Sequence, residues 1–102
     1  ANAGANQIVL DPGFGFGKTI EHNYSLLAEL KKLASEHSTL VGISRKSMIY
    51  KFLGGSPDTA LNGTTTLNTF ALLKGAKILR VHDVKEAAEA VKLVSALTIR
   101  DS

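Results

Sequence analysis

Three short apolar runs, each followed by residues spaced like one face of a helix, constrain this 102-residue chain more than any other feature. The runs are "QIVLD" (Gln7 to Asp11), "TLVGIS" (Thr39 to Ser44) and "KILRV" (Lys77 to Val81). Each is apolar almost throughout instead of alternating, which predicts strands covered on both faces and running parallel through helical crossovers. After the first run, Leu26, Leu27, Leu30, Leu33 and Ala34 recur with a helical period and predict a helix from Thr19 to Glu36. After the second, "SRKSMIYKFLGG" predicts a short helix closed by Gly54 or Gly55, and Ser56, Pro57 and Asp58 then open a longer one that ends at Gly75. After the third, Asp83 with Glu86 makes a capping-box-like entry to a last helix, whose apolar face is Val84, Ala87, Val91, Val94 and Thr98.

The class is therefore α/β, and residues 1–102 read as a single unit of three consecutive βα pairs. Three pairs cannot close an eightfold barrel, which needs about 250 residues. Three parallel strands alone would also leave two open edges, an invitation to self-association. The chain is thus a small open α/β domain or part of a larger barrel. The opening "ANAGANQ" lacks a methionine and reads like the tail of a helix running into a strand, so further chain is expected upstream.

Composition narrows the partners. A content of 44% hydrophobic residues argues against disorder, and a net charge of +3 suits small anions at least as well as nucleic acid. No basic stripe supports a nucleic-acid partner. With no cysteine, disulfides and thiolate metal sites are excluded. No apolar stretch approaches the roughly 18 to 20 residues of a membrane span, and no basic-then-apolar leader opens the chain. The expectation is a soluble, cytoplasmic protein without a membrane partner.

In parallel α/β folds ligands bind at the carboxyl ends of the strands. Those ends carry Asp11 with the loop "DPGFGFGKT", then Ser44, Arg45 and Lys46, then Arg80, His82 and Asp83. The loop invites a phosphate-cradle reading, but Pro12 occupies the position of the first glycine that a P-loop requires, and Gly13, Gly15 and Gly17 are spaced too evenly for GxGxxG. Alternating glycines with Phe14 and Phe16 suggest instead a sharply bent loop, its backbone close to a ligand and an aromatic ring against a flat surface. Pro12 keeps Asp11 extended, aiming its carboxylate off the strand end. There it could accept two hydrogen bonds from a guanidine-like ring edge, bind a metal, or cap its own glycine turn. Arg45 and Lys46 are site residues or a solvated helix start. Arg80 and His82 flank Val81, share one side of the strand, and suit an oxyanion such as diphosphate. His22 and His37 have no partners at ligand spacing, and Asn62, Thr64, Thr65 and Thr66 read as a polar helix face near the pocket rim or as simple helix surface. No Ser-His pair for nucleophilic catalysis is evident.

Taken in order, "LDPGFGFGKT", "NYSLL", "VGISRKSMI" and "ILRVHDVKEA" strongly resemble the carboxyl-terminal part of the bacterial dihydropteroate synthase family, the sulfonamide target of folate biosynthesis. The resemblance covers about Ile8 to Leu97 and implies a partial TIM (β/α)8 barrel, its last three strands and helices. It implies condensation of (7,8-dihydropterin-6-yl)methyl diphosphate with p-aminobenzoate to give dihydropteroate and diphosphate, assisted by magnesium for which no ligand is identified here, in an enzyme that dimerises. It implies Asp11 and Lys46 as catalytic and pterin-binding residues, Phe16, Ser44 and Lys46 as the p-aminobenzoate site, and Arg80 and His82 as the diphosphate site. The asparagine and aspartate of the family's middle strands and its first two catalytic loops have no counterpart here, so this chain alone is expected to be inactive. Competing readings are the pterin-binding domain of a folate-dependent methyltransferase, against which "SRKS" followed by "RVHD" argues, and a non-catalytic pterin- or anion-binding fragment.

Overall fold

The structure, a computed structural model, describes residues 9–15 and 17–101. In chain order it contains strand β1 (Val9–Leu10), helices α1 (Ile20–Ala28) and α2 (Leu30–Glu36), strand β2 (Ser38–Val41), helix α3 (Ser47–Leu53), a 3-10 turn (Pro57–Thr59), helix α4 (Leu61–Leu73), strand β3 (Ile78–Leu79) and helix α5 (Val84–Asp101). The strands form one sheet in the order β1-β2-β3, parallel at both junctions, with Val9 opposite Ser38 and Leu40 opposite Ile78. The expected α/β class and parallel crossovers are thus present. Gln7 and Ile8, with which the first strand was expected to begin, lie outside the described residues.

The helix expected from Thr19 to Glu36 is two helices sharing one apolar face. Thr19 caps the first, its hydroxyl accepting from the His22 amide, and the break falls at Glu29, whose amide is shared between the Ser25 and Leu26 carbonyls. No Gly or Pro marks that break, so the period alone could not reveal it. Leu27 and Leu30 lie on either side and are buried against Val41, Ile43, Met48 and Ile49. Each leucine so removed from water contributes about 2 kcal/mol. Gly54 closes α3 in the left-handed conformation, as expected. Ser56 and Thr59 form a reciprocal cap, but it opens only the single 3-10 turn; α4 starts afresh at Leu61.

The expected cover on both strand faces is incomplete. Val41 is fully buried, while Val9 and Ile78 remain 41% and 42% exposed. Between α4, β3 and α5 an apolar trough of about 790 Å³ is lined by Leu79, Val81, Val84, Val91 and their neighbours. The apolar face read for the last helix is the face that lines this trough. Among the described residues no helix is long and apolar enough to cross a membrane.

Candidate functional site at the strand ends

Beyond β1 the chain leaves the sheet through Asp11 and enters a loop in which Gly13, Gly15 and Gly17 all take positive φ, at 72°, 90° and 66°. That is the left-handed region where a side chain costs energy, which explains the alternation of glycines. Asp11 Oδ1 accepts from the Gly13 amide at 2.9 Å, so the turn-capping role is realised. Its other oxygen faces Arg80 Nη1 at 3.5 Å across the strand ends. The repeated reversals turn Phe14 into the core, where it is 1% exposed. This corrects the expectation of an aromatic ring laid against a flat ligand at that position; Phe16 lies outside the described residues. Lys18 folds back to donate to the Gly13 carbonyl at 3.1 Å, and Asn23, buried on α1, accepts from the Gly15 amide at 2.8 Å.

Beyond β2, Gly42, Ile43 and Ser44 are buried and lead to Arg45, the one described non-glycine residue with positive φ, at 54°. The reversal there redirects the chain into α3 and leaves Lys46 at its N-cap. Lys46 passes beneath Gly15, where a Cβ would stand 3.2 Å from Lys46 Cδ, and its ammonium donates to the Phe14 carbonyl at 2.5 Å. Burial, and next the positive charge of Arg80, hold the Lys46 ammonium below the ordinary lysine range, with Asp11 opposing.

Beyond β3 the ladder continues one step, the Arg80 amide donating to the Val41 carbonyl at 3.0 Å. Side chains then take over from backbone. The His82 amide donates to Ser44 Oγ at 3.1 Å, and the same hydroxyl stands 2.8 Å from His82 Nδ1. One residue further along each strand end, Arg45 grips Asp83 with two parallel hydrogen bonds of 2.9 and 3.0 Å. The guanidinium also donates to the Pro57 carbonyl at 2.6 Å, and the Arg45 amide to Thr64 Oγ1 at 2.9 Å. The hydrogen bond from Arg45 is the main reason that Asp83 is held below the usual carboxylate range.

These contacts amend four sequence expectations. A Ser-His pair does exist, between residues far apart in sequence that parallel pairing brings side by side. Arg45 is an engaged, three-quarters covered side chain and not a solvated helix start. Thr64 is 2% exposed and bonded to Arg45 instead of lying on the surface. The Asp83 carboxylate turns to Arg45 instead of closing a capping box. Asn23, assigned no individual role, did carry a signal: it precedes Leu27 by one turn on the apolar face of α1, a polar residue where packing asks for an apolar one.

Two hollows meet at Lys46. The smaller, about 120 Å³, is bordered by Gly42, Ser44, Lys46, Arg80, Val81 and His82. The larger, about 320 Å³, is bordered by Phe14, Gly15, Arg45, Lys46, Ser47, Tyr50 and Pro57. Lys46, Arg80 and His82 thus come together as read from the sequence, with Asp11 opposite Arg80. Ser44 borders the smaller hollow with Arg80 and His82. Among the described residues no cluster of three or more His, Cys, Asp or Glu is placed to hold a metal ion.

A parallel α/β unit with a carboxylate, a lysine and an arginine–histidine pair around its strand ends has the makings of a pterin-binding enzyme. Residues 1–82 match the pattern of the pterin-binding enzyme family, and the chain belongs to that family. It is similar to the dihydropteroate synthase of Escherichia coli K12, at 47% identity over 94% of this chain and 34% of the relative. The chain therefore spans about a third of that relative's length. Among solved structures, a Yersinia pestis dihydropteroate synthase with a sulfonamide drug complex superposes with a TM-score of 0.88, at 47% identity over 93% of this chain and 35% of that one. The Thermus thermophilus dihydropteroate synthase in complex with 6HMPPP gives 0.84, at 45% identity over 94% and 40%.

Proposed function

We propose that this chain carries the pterin- and diphosphate-binding end of a dihydropteroate synthase, as the last three βα units of a TIM barrel. The observation that carries the reading is the convergence of Lys46, Arg80 and His82 on one hollow, with the Asp11 carboxylate 3.5 Å from Arg80. The half-exposed Val9 and Ile78 and the apolar trough beside β3 support the barrel: they are surfaces that further units would cover.

In this reading Asp11 accepts hydrogen bonds from the N–C–NH₂ edge of the dihydropterin. The carbon–oxygen bond to diphosphate breaks, the electron pair leaves with the anion, and positive charge spreads over the pterin methylene. A carboxylate on the ring edge favours that charge, while Arg80 and His82 hold the departing anion. The p-aminobenzoate amine then forms the carbon–nitrogen bond and loses a proton. The larger hollow beside Lys46 is the place for this second substrate, and juxtaposition of the two supplies much of the acceleration. Magnesium normally meets carboxylates together with substrate phosphates. The carboxylates described at the strand ends are Asp11, engaged by Gly13 and Arg80, and Asp83, gripped by Arg45, so no step is routed through the ion. The protein works in the cytoplasm as a homodimer, and the 102 residues alone are inactive because two-thirds of the relatives' length has no counterpart in them.

Calorimetric titration with inorganic diphosphate tests the reading: Arg80→Ala should weaken binding at least tenfold. Asp11→Ala should abolish the thermal stabilisation given by a dihydropterin analogue. Diphosphate affinity indifferent to Arg80 and His82 would turn the assignment towards a folate-dependent methyltransferase, which has no diphosphate to hold. Turnover by the pure chain would contradict its inactivity.

A further inference from the structure

We infer that Ser44 is a positioning residue for His82: its hydroxyl fixes the imidazole so that Nε2–H, and not Nδ1–H, is presented to the anion hollow. The inference rests on the anion-site reading for its function, though not for its geometry. A serine hydroxyl has one hydrogen and two lone pairs. The His82 amide takes a lone pair at 3.1 Å, and Nδ1 lies 2.8 Å away on the same oxygen. With the ring neutral, an Nδ1–H could also use the second lone pair, but the serine hydrogen, on a hydroxyl 5% exposed, would then lose the one acceptor that the structure sets beside it; the hydrogen therefore goes to Nδ1, which is the bare nitrogen. The proton is left on Nε2, the ring nitrogen remote from Ser44, on a side chain that borders the hollow and can donate to an oxyanion there. With the ring charged, Nδ1–H donates to the second lone pair of the same oxygen, and Nε2 keeps its hydrogen. One hydroxyl thus serves both protonation states without the ring turning.

Two features make this a device and not a chance contact. Ser44 is 5% exposed, so water scarcely competes for its hydroxyl. The neighbouring pair, Arg45 with Asp83, repeats the link one residue further along both strand ends and holds them at the spacing that Ser44 and His82 need. Successive residues of one strand end are therefore clasped to successive residues of the next, beyond the last backbone bond from Arg80 to Val41.

The test is imidazole nitrogen NMR on the histidine-labelled chain, at a pH high enough to keep the rings neutral, with the His82 signals identified by their loss in His82→Gln. The expected result is an Nε2–H tautomer for His82 in the wild-type chain. Ser44→Ala should give a mixture of tautomers and weaken inorganic diphosphate roughly fivefold, the value of one well-made hydrogen bond. Ser44→Thr, which keeps the hydroxyl, should restore both. A wild-type Nδ1–H tautomer overturns the inference without any variant having to fold. So does a Ser44→Ala chain, shown folded by circular dichroism, whose tautomer and affinity are unchanged. If the wild type shows the Nε2–H tautomer yet binds no diphosphate, the anion-site reading fails while the clasp stands.

Discussion

The two walls of the site are held by different means. The wall beyond β1 takes its shape first from local backbone, with left-handed glycines, an aspartate capping its own turn and a lysine returning to a carbonyl five residues back, and is then tied to the rest by Asn23, Lys46 and Arg80. The wall at the ends of β2 and β3 is held by side chains 38 residues apart, Ser44 with His82 and Arg45 with Asp83. The first kind of order is conformational and acts through left-handed dihedrals that glycine adopts without the strain a side chain would bring. The second is a set of directed bonds that exist only once the parallel sheet has formed. Glycine substitutions should therefore damage the first wall through stability, and crowding of Arg80 should damage the second through ligand geometry.

The largest effect is expected at Gly15. Its φ of 90° resists a side chain, and a Cβ would press on Lys46 at 3.2 Å, so Gly15→Ala should cost about 2 kcal/mol in denaturant unfolding and disturb Lys46 as well. Gly42→Ala tests the other wall. Its Cβ would lie 2.6 Å from Arg80 Nη2, the mobile end of a long side chain, so stability should change little while diphosphate affinity falls about tenfold. A large stability loss from Gly42→Ala with unchanged affinity would erase the contrast. Gly17→Ala isolates the conformational part: nothing stands within 4 Å of the added carbon, and the cost should be only the left-handed strain of about 1 kcal/mol.

The smallest effect is on pH dependence, and both groups that carry it belong to the wall at the ends of β2 and β3. The Asp83 carboxyl is lowered by Arg45, so its stabilisation is complete above the ordinary carboxylate value and is lost as pH falls through the folded value. Asp83→Asn should remove that acid limb and lower the melting temperature at neutral pH. The Lys46 ammonium is lowered by burial, so between its folded and ordinary values the unfolded chain binds more protons and stability rises with pH. Lys46→Met should remove that alkaline rise. Thermal melts across pH read both, and an acid limb that survives Asp83→Asn would show that the clasp does not stabilise the fold.

Local signals in the chain reach only as far as neighbouring residues. The short closing helix at Gly54, the Thr19 start and the face of α5 were legible, because caps and helical periods are local. The break at Glu29 was not, since it breaks no period. Asp83 misled for a related reason: a carboxylate just before a helix normally caps it, but a guanidinium brought close by the sheet competes better than a backbone amide. Phe14 misled because the sign of three glycine φ angles, and not the pattern of residues, decided whether its ring went outward or into the core.

Sequence by itself determined the βα order, the parallel class and the set of polar residues at the strand ends, because apolar runs, helical periods and turn residues act over a few neighbours. Tertiary structure alone decided which of those polar residues face a hollow and which face one another. Parallel pairing sets Ser44 beside His82 and Arg45 beside Asp83, and no spacing along one strand encodes its register against the next.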